Sequence, residues 1–211
     1  MGGGAGRPVL TALQPDPSRP GSVRVYADGR LYCTVDEGAL EGVAVGRPVD
    51  RALAERLEAA ADLEAAYRTV LRALERRPYA RADLARRMLR RGHPREAVEA
   101  ALERAQARGL LDDAEFARNF VETRAARGRG PARLVRDLLA MGVERCLIDR
   151  AIAAQWPEGA VGPAVPAALA AKRAAQLGDL ARPVKRRRLL AYLARRGFTG
   201  REAVEAVVKV L

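Results

Sequence analysis

The sequence predicts an all-α chain of three tandem three-helix repeats in an elongated, curved array, with a small N-terminal β-hairpin. Three observations carry this prediction. Hydrophobic residues make up 49% of the 211 residues and aromatics only 4%, so the core must be built from Ala, Leu and Val; Ala and Leu are strong helix formers. Apolar residues recur at helical spacing from about residue 50 onward. A helix–glycine–helix pattern then returns with a period near 50 residues, which is the mark of a repeat architecture.

The elements follow in order. Residues 1–21 are rich in Gly and Pro, lack an apolar period and read as a flexible tail. Residues 22–62 read as a hairpin and a helix. Val23 and Val25, then Leu31, Cys33 and Val35, alternate on either side of Asp28-Gly29, a turn pair that favours a hairpin. An isolated hairpin is marginal, so this one should pack on the helices or on extended chain near Val43–Val45. Asp50 reads as an N-cap, Pro78 ends the helical run, and a break is expected near Ala61–Asp62.

Repeats occupy 63–110, 111–155 and 164–211, with a linker at 156–163. Their middle helices end at Gly92, Gly142 and Gly197, which are 50 and 55 residues apart. Leu84, Leu134 and Leu189 stand eight residues before these glycines, and Met88, Leu138 and Leu193 four before. Downstream, Val98 matches Ile148; Val204 joins them if the third copy gained one residue. Each glycine stands where a left-handed C-cap is wanted between two helices.

The formal net charge is +12 and the sequence pI about 10.8, a balance that suits an acidic partner. The charge is concentrated on and beside the middle helices. The first carries Arg86, Arg87, Arg90 and Arg91 as well as Arg81, against Asp83. The second has Arg133 and Arg136 against Asp137, with Arg124, Arg127 and Arg129 just before it. The third has Lys185, Arg186, Arg187, Arg188, Arg195 and Arg196 and no acid. These residues are the candidates for binding an anionic partner. The third helices are near neutral; in the first, Glu96, Glu99 and Glu103 offset Arg95, Arg104 and Arg108. A helix-turn-helix reader would place its last helix in the major groove with side chains suited to base edges. Glutamates there argue against that and favour contact with phosphate or an acidic protein surface without sequence readout.

Other chemistry finds little support. His93, the only histidine, falls in a turn, and the only serines are Ser18 and Ser22, so no nucleophilic triad is expected. There is no phosphate-binding GxxxxGK[ST] loop. Asp112 and Asp113 are expected as a helix cap and first turn, not a metal or catalytic pair. Trp156, beside Pro157, reads as a linker anchor. Cys33 and Cys146, far apart, form no disulfide framework or metal pattern and suggest a reducing, cytoplasmic location. The start lacks a signal-peptide core, and the most apolar stretch, 159–171, is short and interrupted by prolines, so neither secretion nor membrane insertion is expected. The readings thus exclude an enzyme, a cofactor and a metal.

The run Arg108-Gly-Leu-Leu-Asp-Asp-Ala-Glu-Phe-Ala-Arg118, continued by Arg124, Gly128, Gly130, Pro131, Leu138 and Gly142, resembles the pattern of the RecX family. Arg195-Arg196-Gly197-Phe198 is similar to that family's last turn. The resemblance covers about 63–210. Met141 departs from a lysine frequent before the glycine, and His93 stands in place of an aromatic. The resemblance implies a modulator, chiefly an inhibitor, of the RecA recombinase. Such a protein binds the RecA filament on single-stranded DNA and suppresses its ATPase and strand exchange. It implies a monomer whose partners are RecA and single-stranded, or also double-stranded, DNA without sequence preference. Two rivals remain: a sequence-independent DNA-binding module acting without RecA, and a helix-turn-helix transcription factor.

Overall fold

Near the N-terminus three strands form an antiparallel sheet in the order β1-β2-β3: β1 (Leu10–Pro15), β2 (Ser22–Ala27) and β3 (Arg30–Asp36). The structure, a computed structural model, describes residues 7–157 and 162–211. The first six residues of the expected tail and residues 158–161 of the expected linker lie outside the described residues.

The hairpin between β2 and β3 forms as expected, and Asp28 and Gly29 take the positive φ values, 48° and 75°, of its turn. The tail expectation is corrected. Residues 10–15 pair with β2, and Leu10 is fully buried beside Val25 and Val35. The strand was hidden because only Leu10 is buried and its alternation is weak. The start of β1 also meets extended chain downstream: Leu10 N–H donates to the Arg47 carbonyl at 3.0 Å and Gly46 N–H to the Leu10 carbonyl at 2.8 Å.

The chain divides into two compact units. One comprises Met1–Pro78 and Leu84–Leu111; the other comprises Tyr79–Asp83 and Asp112–Leu211. In the first unit α1 (Arg51–Leu74) is one helix of 24 residues. Asp50 caps it, accepting from Leu53 N–H at 2.8 Å. The expected break near Ala61–Asp62 is absent, and the boundary placed between residues 62 and 63 falls inside this helix. Ala59, Ala60 and Ala61 are strong helix formers, and no Gly or Pro interrupts them. Its first half lays Leu53 and Leu57 on the sheet, and its second half packs on α3 (Arg95–Ala107).

Polar contacts tie the sheet to these helices. Ser22 Oγ donates to the buried Glu64 at 3.0 Å. Arg104 of α3 pairs with Asp36 of β3 and Glu64 of α1, and its guanidinium lies 4.4 Å from the Tyr67 ring centroid.

The helix α2 (Arg81–Leu89) crosses the division. The second unit continues with α4 (Asp113–Ala125), α5 (Pro131–Met141), α6 (Arg145–Gln155), α7 (Ala164–Ala175), α8 (Arg182–Arg196) and α9 (Arg201–Val210). In every repeat the first helix packs on the third: α1 on α3, α4 on α6, α7 on α9.

The turn closing each middle helix is the same object three times. Gly92, Gly142 and Gly197 have φ of 86°, 84° and 97°. The next residue's N–H reaches back five residues: His93 to the Met88 carbonyl, Val143 to Leu138 and Phe198 to Leu193. This is the Schellman closure that a left-handed glycine permits. All six residues of the two upstream apolar registers are fully buried. The downstream register needs correction. Val204 is 42% exposed, whereas Ala203, six residues after Gly197 as Val98 and Ile148 are after their glycines, is buried at 3%. The buried register carries no inserted residue; the helix merely starts one position later.

Candidate anion-binding surface

The candidate cations separate into those held by the fold and those facing solvent. On α2 and the turn after it, Arg86, Arg90 and Arg91 are exposed and Arg87 is half-buried. In the second unit the carboxylate of Asp137 takes two of them: Arg129 at 2.7 Å and Arg133 at 2.8 Å. Arg124 lies with its guanidinium 5.0 Å from the Phe120 ring centroid. Arg127 and Arg136 are exposed.

On α8, Arg186, Arg187, Arg188 and Arg195 are exposed and Lys185 is half-buried. The first turn of this helix holds no acid. A run of cations near the positive end of a helix opposes the macrodipole, so it is not there to favour the helix.

Arg196 has a different role. Its Nη1 donates to the carbonyls of Arg127 and Gly128 at 3.5 and 3.4 Å, and its guanidinium lies 5.2 Å from the Tyr192 ring centroid. It belongs to a joint between the second and third repeats. Gly130 N–H donates to the Arg196 carbonyl at 2.7 Å, and Ala132 N–H to the Gly197 carbonyl at 3.3 Å. A Cβ on Gly130 would stand 2.5 Å from Gly197 backbone atoms; one on Gly197 would stand 2.5 Å from Arg133 N. The Gly128-x-Gly130-Pro131 and Arg196-Gly197-Phe198 motifs therefore meet, backbone against backbone. Sequence reasoning quoted both motifs and missed their contact. The hint was a second glycine directly before Pro131, a place where helix capping alone does not call for glycine.

Beside the joint is a cleft of about 270 Å³, lined by Glu122, Arg129, Gln155, Trp156, Val165 and Phe198 among others. Trp156 thus packs at the place where the second repeat gives way to the linker.

The acidic pair divides its work. Asp112 caps α4, accepting from Ala114 and Glu115 N–H at 2.8 and 3.0 Å, and those bonds hold its carboxyl below the ordinary range. Asp113 instead accepts from Arg81 N–H at 2.8 Å, at the start of α2, and burial pushes its carboxyl upward. His93 Nε2 lies 3.1 Å from the Thr69 hydroxyl. Burial raises the Cys33 thiol to about 11, and Cys146 is exposed. Among the described residues no cluster of three or more His, Cys, Asp or Glu side chains is placed to hold a metal ion, and no helix is long and apolar enough to cross a membrane.

Comparison with known proteins adds a family to this geometry. Two family models match: the first three-helix domain of RecX over residues 66–104, and the second over 112–152. A Regulatory protein RecX from Mycobacterium marinum is 36% identical over 149 residues, 70% of this chain and 86% of that protein. Those of Halorhodospira halophila and Pseudomonas syringae pv. tomato are 41% and 40% identical over 95 and 85 residues. These two matches cover 45% and 40% of this chain and span 59% and 55% of the relatives' own lengths. Among solved structures, a crystal structure of regulatory protein RecX aligns with TM-score 0.76 at 20% identity, covering 96% of this chain and 98% of that one. One of RecX from Lactobacillus salivarius aligns with TM-score 0.60 at 15% identity, covering 70% and 95%.

Proposed function

Since the chain belongs to the RecX family of regulatory proteins, we propose that it is a non-enzymatic modulator, in the main an inhibitor, of the RecA recombinase. On this reading it binds the RecA filament on single-stranded DNA in the cytoplasm and suppresses ATP hydrolysis and strand exchange. The observation that carries the reading is the match to full-length relatives named as regulatory proteins, 36% identical over 86% of their length.

The surface supports it physically. Cations held on rigid helices meet phosphate or acidic protein without reading bases. The third helices carry glutamates where a major-groove reader needs donors for base edges; Glu96 and Glu103 on α3 are exposed. The chain works as a monomer here.

The test is the DNA-dependent ATPase of RecA, with the chain added in substoichiometric amounts. The rate should fall. An unchanged rate, together with salt-sensitive binding to naked single- and double-stranded DNA, points instead to a DNA-binding module that acts without RecA.

A further inference from the structure

After β3 the chain crosses to the far edge of the sheet. A 3-10 turn (Glu37–Leu40) opens this crossing arm, Val43 N–H donates to the Leu40 carbonyl at 2.9 Å, and residues 46–48 then meet Val9 and Leu10 at the start of β1. Arg56 of α1 fixes the arm by donating to the carbonyls of Ala39 and Glu41 at 2.7 and 2.6 Å. Between the arm and the second half of β1 lies a groove of about 560 Å³. Leu13, Pro15 and Val23 line it from the sheet, and Leu40 and Val43 from the arm. Val45, two residues further along the arm, is 56% exposed.

Two features point to what the groove takes. The first is an open backbone edge. β1 is an outer strand of the sheet. Asp16 N–H donates to the Ser22 carbonyl at 2.8 Å, so the alternation of an antiparallel ladder turns the N–H and C=O of Leu13, and the C=O of Pro15, away from β2. Among the described residues no backbone group pairs with them on that side. Strand edges are blunted by charge or proline; residues 11–15 carry no charge, and Pro15 only shortens the ladder on offer. The second feature is charge. Glu37 and Glu41 border the groove from the arm, both exposed. Among the described residues neither carboxylate pairs with a cation: Arg56 spends its guanidinium on carbonyls, and Arg47 on Asp50 and the Gly42 carbonyl. On a chain of net charge +12, the apolar groove thus has an acidic border.

We propose that this groove docks an extended segment of a partner protein, added as a strand to the open edge of β1, with apolar side chains at alternate positions and lysine or arginine beside them. Strand addition draws affinity from main-chain hydrogen bonds and specificity from pockets for alternate side chains. Leu13 and Pro15 supply the main-chain groups, the groove takes the apolar side chains, and Glu37 and Glu41 select the cations. The same carboxylates repel phosphate, so nucleic acid is not the occupant. The surface shares no residue with the cations described above, and the proposal does not rest on the reading given under Proposed function.

The experiment selects peptides from a random library displayed on phage against the full chain, then titrates the recovered peptides, labelled with fluorescein, by anisotropy. The peptides should alternate apolar residues with Lys or Arg. Their affinity should fall about fivefold or more in Glu37→Lys/Glu41→Lys, where two exposed ion pairs give way to like charge. It should fall far less in Glu96→Lys/Glu103→Lys, which makes the same change in net charge at exposed positions of α3. Circular dichroism checks that both variants fold. On addition of peptide to the wild-type chain, amide chemical shifts should move at Leu13, Val23 and Val43. A selection that yields no binder, or only acidic peptides, overturns the proposal. Equal losses in the two variants mean net charge alone and overturn it too. So do unmoved amides along β1, which place the peptide on another surface. Self-association of the wild-type chain that Glu37→Lys/Glu41→Lys abolishes would give the groove to a second copy, and that also overturns it.

Discussion

At the scale of single residues, three glycines separate two physical effects. Gly29 has φ 75° and open space around it, so alanine there meets only the left-handed backbone penalty. Gly130 has an ordinary φ of −85° and no room, so alanine there meets only the overlap with Gly197 and Phe198. Gly197 combines φ 97° with an equal lack of room. In urea unfolding, Gly29→Ala should cost about 1–2 kcal/mol and Gly130→Ala about 1–3 kcal/mol. Gly197→Ala should cost more than either. The sequence revealed Gly197 because a turn glycine announces itself between two helices. It concealed Gly130, whose constraint comes from residues nearly 70 positions away.

Asp16 carries the pH dependence at this scale. The Ser18 hydroxyl chiefly, and Arg24 beside it, hold its carboxyl below the ordinary aspartate range. A lowered folded pKa adds stability that is present above the unfolded value, about 3.9, and is lost as the pH falls through the folded one. Asp16→Asn should therefore be less stable than wild type at neutral pH, with the difference shrinking in acid. Unfolding curves at pH 7 and below pH 3 check this.

At the scale of elements, the middle helices were legible because their burial is local and periodic. Leu134 and Leu138 on α5, and Leu189 and Leu193 on α8, are fully buried. Leu138→Ala should cost about 2–5 kcal/mol in thermal or urea unfolding. The strand β1 was not legible, because its stability comes from pairing with β2 and with residues 46–47 rather than from its own alternation. The length of α1 was misjudged for a related reason. A break is expected near Ala61–Asp62, but one unbroken helix serves both the sheet and α3. Arg104 marks this double duty. It pairs with Asp36 and with Glu64, whose side chain is only 7% exposed. Arg104→Ala leaves that carboxylate without its cation and should destabilise the first unit by about 1–3 kcal/mol, seen as earlier unfolding of the wild-type transition.

At the scale of the whole molecule, the repeat and the family were readable because both rest on short local signals: a glycine turn, two leucine registers and an ordered series of motifs. The candidate surface was readable only as a set of cations. The fold then sorted them. Arg129, Arg133 and Arg196 serve structure, whereas Arg186, Arg187 and Arg188 face solvent. Helical spacing already sets Arg133 four residues before Asp137, but the roles of Arg129 and Arg196 depend on where Asp137 and the closing turn of the third repeat lie in space.

The central claim is engagement of the RecA filament by this regulatory chain, and co-sedimentation with preassembled filaments tests it most directly. RecA is assembled on single-stranded DNA with a non-hydrolysable ATP analogue, the chain is titrated in, and the pellet is assayed. The account predicts that the chain pellets with the filaments to a saturating ratio, above the amount retained by the same DNA without RecA. A chain that stays in the supernatant, or pellets no better with filaments than with naked DNA, would contradict it.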